Sequence, residues 1–525
     1  MEHAEGYERR WWILGVLCLS LLVIGLDNTI LNVALPTLVR DLGASTSQLQ
    51  WIVDAYTLVF AGLLLTAGSL SDKYGRRSAL ALGLVIFGTG SLLSAIAGSA
   101  TMLIFTRAFM GIGGALIMPS TLSILTNVFP AEERGRAIGI WAGVSGLGIG
   151  IGPVVGGWLL THFWWGSVFL VNVPVVIFAL IAGRLIVPNS KDPSAPRLDP
   201  VGAVLSVVGL ISLVYGIIEA PSHGWTDPLI LGAFAVAAVV LTSFVLWELQ
   251  SDHPMLNLEF FRNPRFTAAN ISVTLVFFAL FGSLFFLTQY LQLVLGYSAL
   301  QAGYRVAPIA LVLILVAPIT GRLVNRVGNK LLVTVGMCLV ATGLWYLSLL
   351  TIASGYGHVL ISIMILGTGM ALAMTPATES IMGSLPLAKA GVGSAMNDTT
   401  RQVGGALGVA ILGSVFASSY TASLSPWLTK LPAPAATAAE SSVGAAIAIG
   451  NQVGGVAGTA LVTASKTAFI QAMDRGLFVG AAVALVGAFV ALMWLPNRPR
   501  DAESIELHVE RREGQLEPVV ERVEP

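Results

Sequence analysis

Apolar runs of about 20 residues recur along nearly the whole chain, and few folds accept such a pattern. A run that long crosses a bilayer as a helix, because inside lipid only a helix or a closed barrel satisfies every backbone polar group. Fourteen spans are expected, at 12–35, 49–70, 78–98, 101–125, 136–160, 167–187, 200–219, 227–247, 266–294, 301–321, 331–352, 358–383, 397–418 and 471–495. Only 11% of the 525 residues are charged, against roughly 25% in soluble domains, so the bulk of the chain reads as lipid-embedded helix. The 57 glycines suit helices whose backbones approach closely in lipid. Cys18 and Cys338 both fall in apolar runs and imply no disulfide framework. The first run is too long for a signal-peptide core and no small-residue cleavage site follows it, so it is expected to be retained.

An even number of spans places both termini on one side. With that side cytoplasmic, 21 of the 28 Lys and Arg fall in cytoplasmic segments, four in outer segments and three within or at the edge of spans. This asymmetry sets the expected orientation, with the protein in the plasma membrane. Residues 1–11 are then a cytoplasmic start and 496–525 a loosely ordered cytoplasmic tail. The Ala-, Ser-, Gly- and Pro-rich stretch 419–466 reads as a flexible outer loop, with 443–460 as the one part suited to a short interfacial helix.

The loop GSLSDKYGRR at 68–77 has a faint echo in GRLVNRVGNK at 321–330. Each follows the second span of a six-span block once the pair 200–247 is set aside. The organisation expected is therefore a six-helix bundle at 12–187, an inserted two-helix hairpin at 200–247 and a second bundle at 266–495 that includes the loop 419–466. Such paired halves place a binding cavity between them near mid-membrane.

Four motifs appear in order: LDNTILNVALP at 26–36, GSLSDKYGRR at 68–77, RAFMGIGGALIMP at 107–119 and GLGIGIGPVVGGW at 146–158. With them the chain resembles the major facilitator superfamily, and within it the fourteen-span drug:proton antiporters of the QacA/EmrB type. The resemblance implies proton-coupled efflux of lipophilic, often cationic drugs by alternating access. It also implies a gating loop of Gly68, Asp72, Gly75, Arg76 and Arg77, in which Asp72 latches one access state by pairing with basic groups or a helix terminus of the bundle. The antiporter motif falls on Gly148, Gly152, Pro153, Gly156 and Gly157; apart from any resemblance, those residues allow close helix packing around a proline kink. Met110 stands where the family often has Gln. WGSVFLVNVP at 165–174 is similar to a sixth-span signature but carries Gly166 and Ser167 in place of its Arg and second Trp.

Charged groups inside spans are costly and by default functional. At about 1.5 Å per residue, Asp27 lies roughly 12 Å below the outer end of its span, Arg107 roughly 9 Å and Asp54 roughly 8 Å, so the three share a level. Asp27, Arg107, Asp54 and Glu379 are the candidate proton-coupling residues, with a permanent structural ion pair as the alternative for Asp27. Asp398 and Arg401, three apart, are expected to form a local ion pair, and Glu219 to be solvated near an outer end. Asn32, Phe281 and Phe285 are candidates for the substrate cavity.

No phosphate-binding G-x-x-x-x-G-K-[ST] occurs, and the six histidines are scattered without metal-site spacing. No cofactor, metal, nucleic acid or enzymatic activity is expected, and a monomer suffices. The alternative function is a proton-coupled exporter dedicated to one native metabolite, peptide or lipid.

Overall fold

The computed structural model describes residues 7–191, 199–251, 254, 256, 258–385 and 390–497. The charged tail from Arg498 onward lies outside them. The first half comprises α1 Arg10–Leu42, α2 Thr46–Tyr74, α3 Arg76–Ala95, α4 Ala100–Val128, α5 Ala131–His162 and α6 Ser167–Ile186. Next come α7 Pro200–His223 and α8 Pro228–Gln250. The second half comprises α9 Pro264–Val294, α10 Ala299–Val324, α11 Asn329–Leu347, α12 Tyr356–Met382, α13 Ala390–Leu428 and α16 Gly455–Trp494, with the short helices α14 Ala433–Ser441 and α15 Val443–Val453 before α16. Among the described residues there is no strand.

Local sequence starts these helices in familiar ways. Ser45 with Gln48 and Ser298 with Gln301 make reciprocal capping boxes at α2 and α10, while Asp227 and Asn263 accept backbone N–H bonds ahead of Pro228 and Pro264. Among the described residues, twelve helices are long and apolar enough to cross a membrane, thirteen when Thr46–Leu64 and Thr66–Tyr74, bent by 55°, count as one span. That stops short of the fourteen expected. The remaining helix, α5, has 32 residues, about 48 Å at the usual rise.

Helices α1–α6 pack mainly on one another, as do α9–α13 with α16. The echo between 68–77 and 321–330 has a structural counterpart: α2 joins α3 through the single residue Gly75 (φ 118°), and α10 joins α11 just past Gly328 (φ 88°). Both angles lie where a side chain is strained, which explains a glycine at each sharp reversal. We call the end where α1 starts and α16 stops the near end, and the other the far end.

The stretch 419–466 is not the flexible loop its composition suggested. α13 runs on to Leu428, α14 and α15 follow, and α16 begins at Gly455, well before the expected 471. Alanine carries high helix propensity, so the breaks fall where Pro432, Ser442 and the left-handed Gly454 and Gly455 interrupt it. This cap reaches the first half, with Thr46 Oγ1 donating to the Ser441 carbonyl at 3.0 Å.

The hairpin lies across a seam between the halves. Val214 and Ile218 of α7 bury against Leu58 of α2 and against Ala406 and Ala410 of α13. A polar attachment goes to α2: Trp51 Nε1 donates to Glu219 Oε1 at 2.9 Å. Glu219 is therefore a fastening group rather than a solvated one. At the near end Trp247 Nε1 donates to Asp199 at 2.9 Å and ties α8 to the start of α7. Trp51→Phe keeps an aromatic ring but loses the pyrrole half of the indole together with the Glu219 bond, so it is expected to cost at least about 1 kcal/mol. Thermal unfolding in detergent measures this, and an unchanged midpoint would remove the fastening role.

Candidate functional site: a buried ion pair in the first half

Asp27 is fully buried on α1, and Arg107 on α4 is 1% exposed. Arg107 Nη1 donates to Asp27 Oδ2 at 2.5 Å, a charge-assisted bond at the short end of its range. Arg107 Nε donates to the Ile52 carbonyl of α2 at 3.2 Å, and its guanidinium lies 4.3 Å from the centre of the Tyr56 ring. The other carboxylate oxygen accepts from Asn172 Nδ2 of α6 at 3.3 Å, and Asn172 also donates to Ser91 Oγ of α3 at 2.9 Å. Ser91 in turn donates to the Phe169 carbonyl at 3.0 Å. Five helices of the first half thus meet at one ion pair.

A charged pair this deep persists only when its remaining hydrogen-bonding capacity is largely met, and here the Ile52 carbonyl and the Asn172 amide meet part of it. Met110 takes the place where a Gln was expected and puts its sulfur 3.8 Å from Arg107 Nη1, a weak acceptor. Asn172, Ser91 and Tyr56 were not picked out from sequence. The asparagine inside VFLVNVP was the available signal, since an amide in an apolar run needs a reason as an acid does.

Asp54 joins none of this. It is fully buried on α2, yet neither carboxylate oxygen has a hydrogen-bond partner among the described residues. One turn earlier Gln50 Nε2 donates across to the second half, to the Val409 and Ala410 carbonyls at 3.2 and 3.1 Å. Asp54 therefore shares a depth with the ion pair but no contact. Glu379 is exposed towards the near end of α12. Asp398 and Arg401 form the expected local pair at 3.6 Å, and Arg401 lies 5.5 Å from the centre of Phe277.

Phe281 stacks on Phe277 with centroids 6.0 Å apart, whereas Phe285 is fully enclosed against Phe286 and presents no surface to a cavity. Asn32 is 2% exposed, with its amide donating to the Asn28 carbonyl at 3.3 Å and its Oδ1 without a partner among the described residues. In the gating loop Asp72, near the end of α2, pairs at 2.7 Å with Arg76, the first residue of α3. Arg77 donates to the Val187 carbonyl at 3.3 Å and Arg76 N to the Ser190 carbonyl at 3.0 Å. The loop is thus tied to its own half.

The antiporter-motif glycines are contact points. A methyl group placed on Gly148 would sit 2.8 Å from the Gly25 carbonyl carbon, one on Gly156 would sit 2.6 Å from Ile30 Cγ1, and one on Gly152 would overlap Thr29 Oγ1. Thr29 Oγ1 itself donates to the Gly148 carbonyl at 3.1 Å. Gly157 faces the other half, 2.5 Å from the Ala299 carbonyl oxygen by the same construction, and Gly303 abuts Pro153. One face of α5 therefore grips α1, beside the turn that carries Asp27, and the far end of α5 meets α10.

Of the cross-half contacts named so far, the Thr46–Ser441 bond and the α5–α10 packing lie at the far end, and the α2–α13 contacts run from there to mid-helix. This architecture is that of a two-bundle helical transporter with a charged pair buried inside one bundle. The chain belongs to the Major Facilitator Superfamily, whose family model matches residues 17–409. It is 36% identical over 506 residues to the tetracenomycin C resistance and export protein of Streptomyces glaucescens, covering 94% of each chain. It is 36% identical to the multidrug efflux pump LfrA of Mycolicibacterium smegmatis, over 92% of this chain and 95% of that one. It is also 33% identical to the methyl viologen resistance protein SmvA of Salmonella typhimurium, over 88% and 93%. Among solved structures it is similar to a bacterial homolog of the human lysosomal transporter Spinster in an inward-facing, unoccupied conformation, with a TM-score of 0.65 at 17% identity over 93% of this chain and 98% of that one.

Proposed function

We propose that this protein is a fourteen-span proton-coupled antiporter that expels lipophilic, often cationic compounds from the cytoplasm or inner leaflet. The observation that carries the reading is the buried Asp27–Arg107 pair at the convergence of five helices. Protonating Asp27 removes one charge of a desolvated pair and frees the other, which changes the relative stability of the two bundle states. The kinship with resistance and efflux proteins supplies the substrate class. α5 is the fourteenth span in this reading, because its glycines follow α1 turn by turn.

The near end is cytoplasmic in this proposal, on the distribution of Lys and Arg, and both termini lie there. Contacts between the halves at the far end correspond to a state open to the cytoplasm. Asp54 is a second proton carrier. A neutral carboxyl tolerates burial without a partner far better than a carboxylate does, so this state suits a protonated Asp54. A membrane potential supplies about 2.3 kcal/mol per charge per 100 mV, enough for one proton to sustain a gradient of some tens-fold. Kinship with a protein named for export of a single compound favours a second reading, an exporter dedicated to one metabolite.

The test uses energised everted vesicles with a pH-sensitive dye, challenged with lipophilic cations and neutral drugs. The wild type is expected to release protons on drug addition and Asp27→Asn to lose that response. A response to one compound alone moves the dedicated exporter ahead; no response to any compound ends the antiport reading.

A further inference from the structure

Pro36 has no backbone N–H, so the Asn32 carbonyl one turn earlier in α1 lacks its helical donor. That carbonyl accepts Thr288 Oγ1 from α9 at 2.7 Å, and the adjacent Val33 carbonyl accepts Gln292 Nε2 at 2.9 Å. Both acceptors belong to the first half and both donors to the second. The donor helix is irregular at the same level: Tyr290–Val294 forms a π turn, with Leu295 N bonded to the Tyr290 carbonyl at 3.1 Å. Turns of this kind are rare and concentrate where helices do something other than span. Two backbone defects, one in each half, thus face each other at the far end.

We propose that these defects form a latch that holds the far end closed, Thr288 and Gln292 fastening onto α1 where Pro36 exposes its backbone. The latch is reversible by construction. Thr288 Oγ1 also lies 3.2 Å from the Leu284 carbonyl of its own helix, so the hydroxyl keeps a partner when the halves part. The α1 carbonyls would then turn to water reaching the opened seam, which limits the cost of opening to the difference between two hydrogen-bonded states. The inference deepens the antiport reading and rests on it for the sense of the cycle. Asp27 lies on α1 five residues before Asn32, so a change in the ion pair and the release of the far end are events on one helix.

The experiment is a spin-label distance measurement across the far end, between Arg40→Cys and Tyr304→Cys, both exposed, with Cys18→Ala and Cys338→Ser to remove the native thiols. Thr288→Val and Gln292→Leu are each expected to lower the ratio of short to long distances about fivefold, the scale of one hydrogen bond. Pro36→Ala returns an N–H to α1 and is expected to act in the same direction as Thr288→Val. The Pro36→Ala/Thr288→Val pair should shift the ratio no further than the larger single change. Unchanged distances in Thr288→Val and Gln292→Leu would overturn the latch, as would full additivity of Pro36→Ala and Thr288→Val. Gln292→Leu leaves both helix backbones intact, so it decides the matter if Pro36→Ala does not fold. The distances need neither substrate nor gradient. Silent vesicles with responsive distances sink the antiport reading and keep the latch, and the converse sinks the latch alone.

Discussion

Arg107→Ala is expected to abolish drug-dependent proton release and to cost the fold about 3–5 kcal/mol, the scale of a buried charge left without its partner. The loss has two parts. Asp27, fully buried, would keep only the Asn172 amide at 3.3 Å to oppose its charge. The volume under Tyr56 and the donor to the Ile52 carbonyl would also be lost. The double change Asp27→Asn/Arg107→Ala removes the uncompensated charge, so it should recover most of the stability while remaining inactive. Thermal unfolding in detergent beside the vesicle assay separates these effects. If the double variant is as unstable as Arg107→Ala, packing rather than charge accounts for the loss.

Gly148→Val and Gly157→Val should fail in different ways. Added carbons at Gly148 meet α1 backbone inside the first half, where overpacking costs about 1–3 kcal/mol or more. Gly148→Val is expected to unfold at a lower temperature and to lose transport through the displaced turn of Asp27. At Gly157 the obstruction is the Ala299–Leu300 backbone of α10, across the seam. Gly157→Val should unfold near the wild-type temperature, because each half can keep its own packing, yet lose at least about tenfold in transport by wedging the far end apart. A normal transport rate in Gly157→Val would show that the seam yields, and a lowered midpoint would show that the halves fold as one.

Much of this was legible in sequence because bilayer physics leaves few options. Apolar run length located the helices, and Asp27 and Arg107, matched by depth alone, do form a contact. Depth is one coordinate of three, however. It could not say which way Asp54 points around α2, and the third charge at the same level turns out to have no hydrogen-bond partner among the described residues. Asn172 and Ser91 escaped notice because one amide and one hydroxyl barely alter the hydropathy of a span, although they complete the ion pair. Glu219 was misread because its partner Trp51 lies far away in sequence, and the cap at 419–466 because small-residue composition suits both a loop and an alanine-rich helix. The latch was invisible for a related reason. Proline announces a missing donor, but nothing in the sequence says which residue 256 positions later supplies a replacement.

The hairpin makes the perimeter of the molecule unequal. Helix α7 roofs the junction of α2 with α13 and is pinned by Trp51 and Glu219 to α2, with only apolar contact to Ala406 and Ala410. On the opposite flank, Ile151 and Trp158 of α5 and Leu311 and Leu315 of α10 stay exposed among the described residues. A molecule dissolved among lipid tails therefore meets one shuttered side and one bare side. In the antiport cycle proposed above, the shutter would travel with the first half and slide over small side chains of the second, which would channel traffic from the bilayer to the α5–α10 flank and give the translocation path a front and a back.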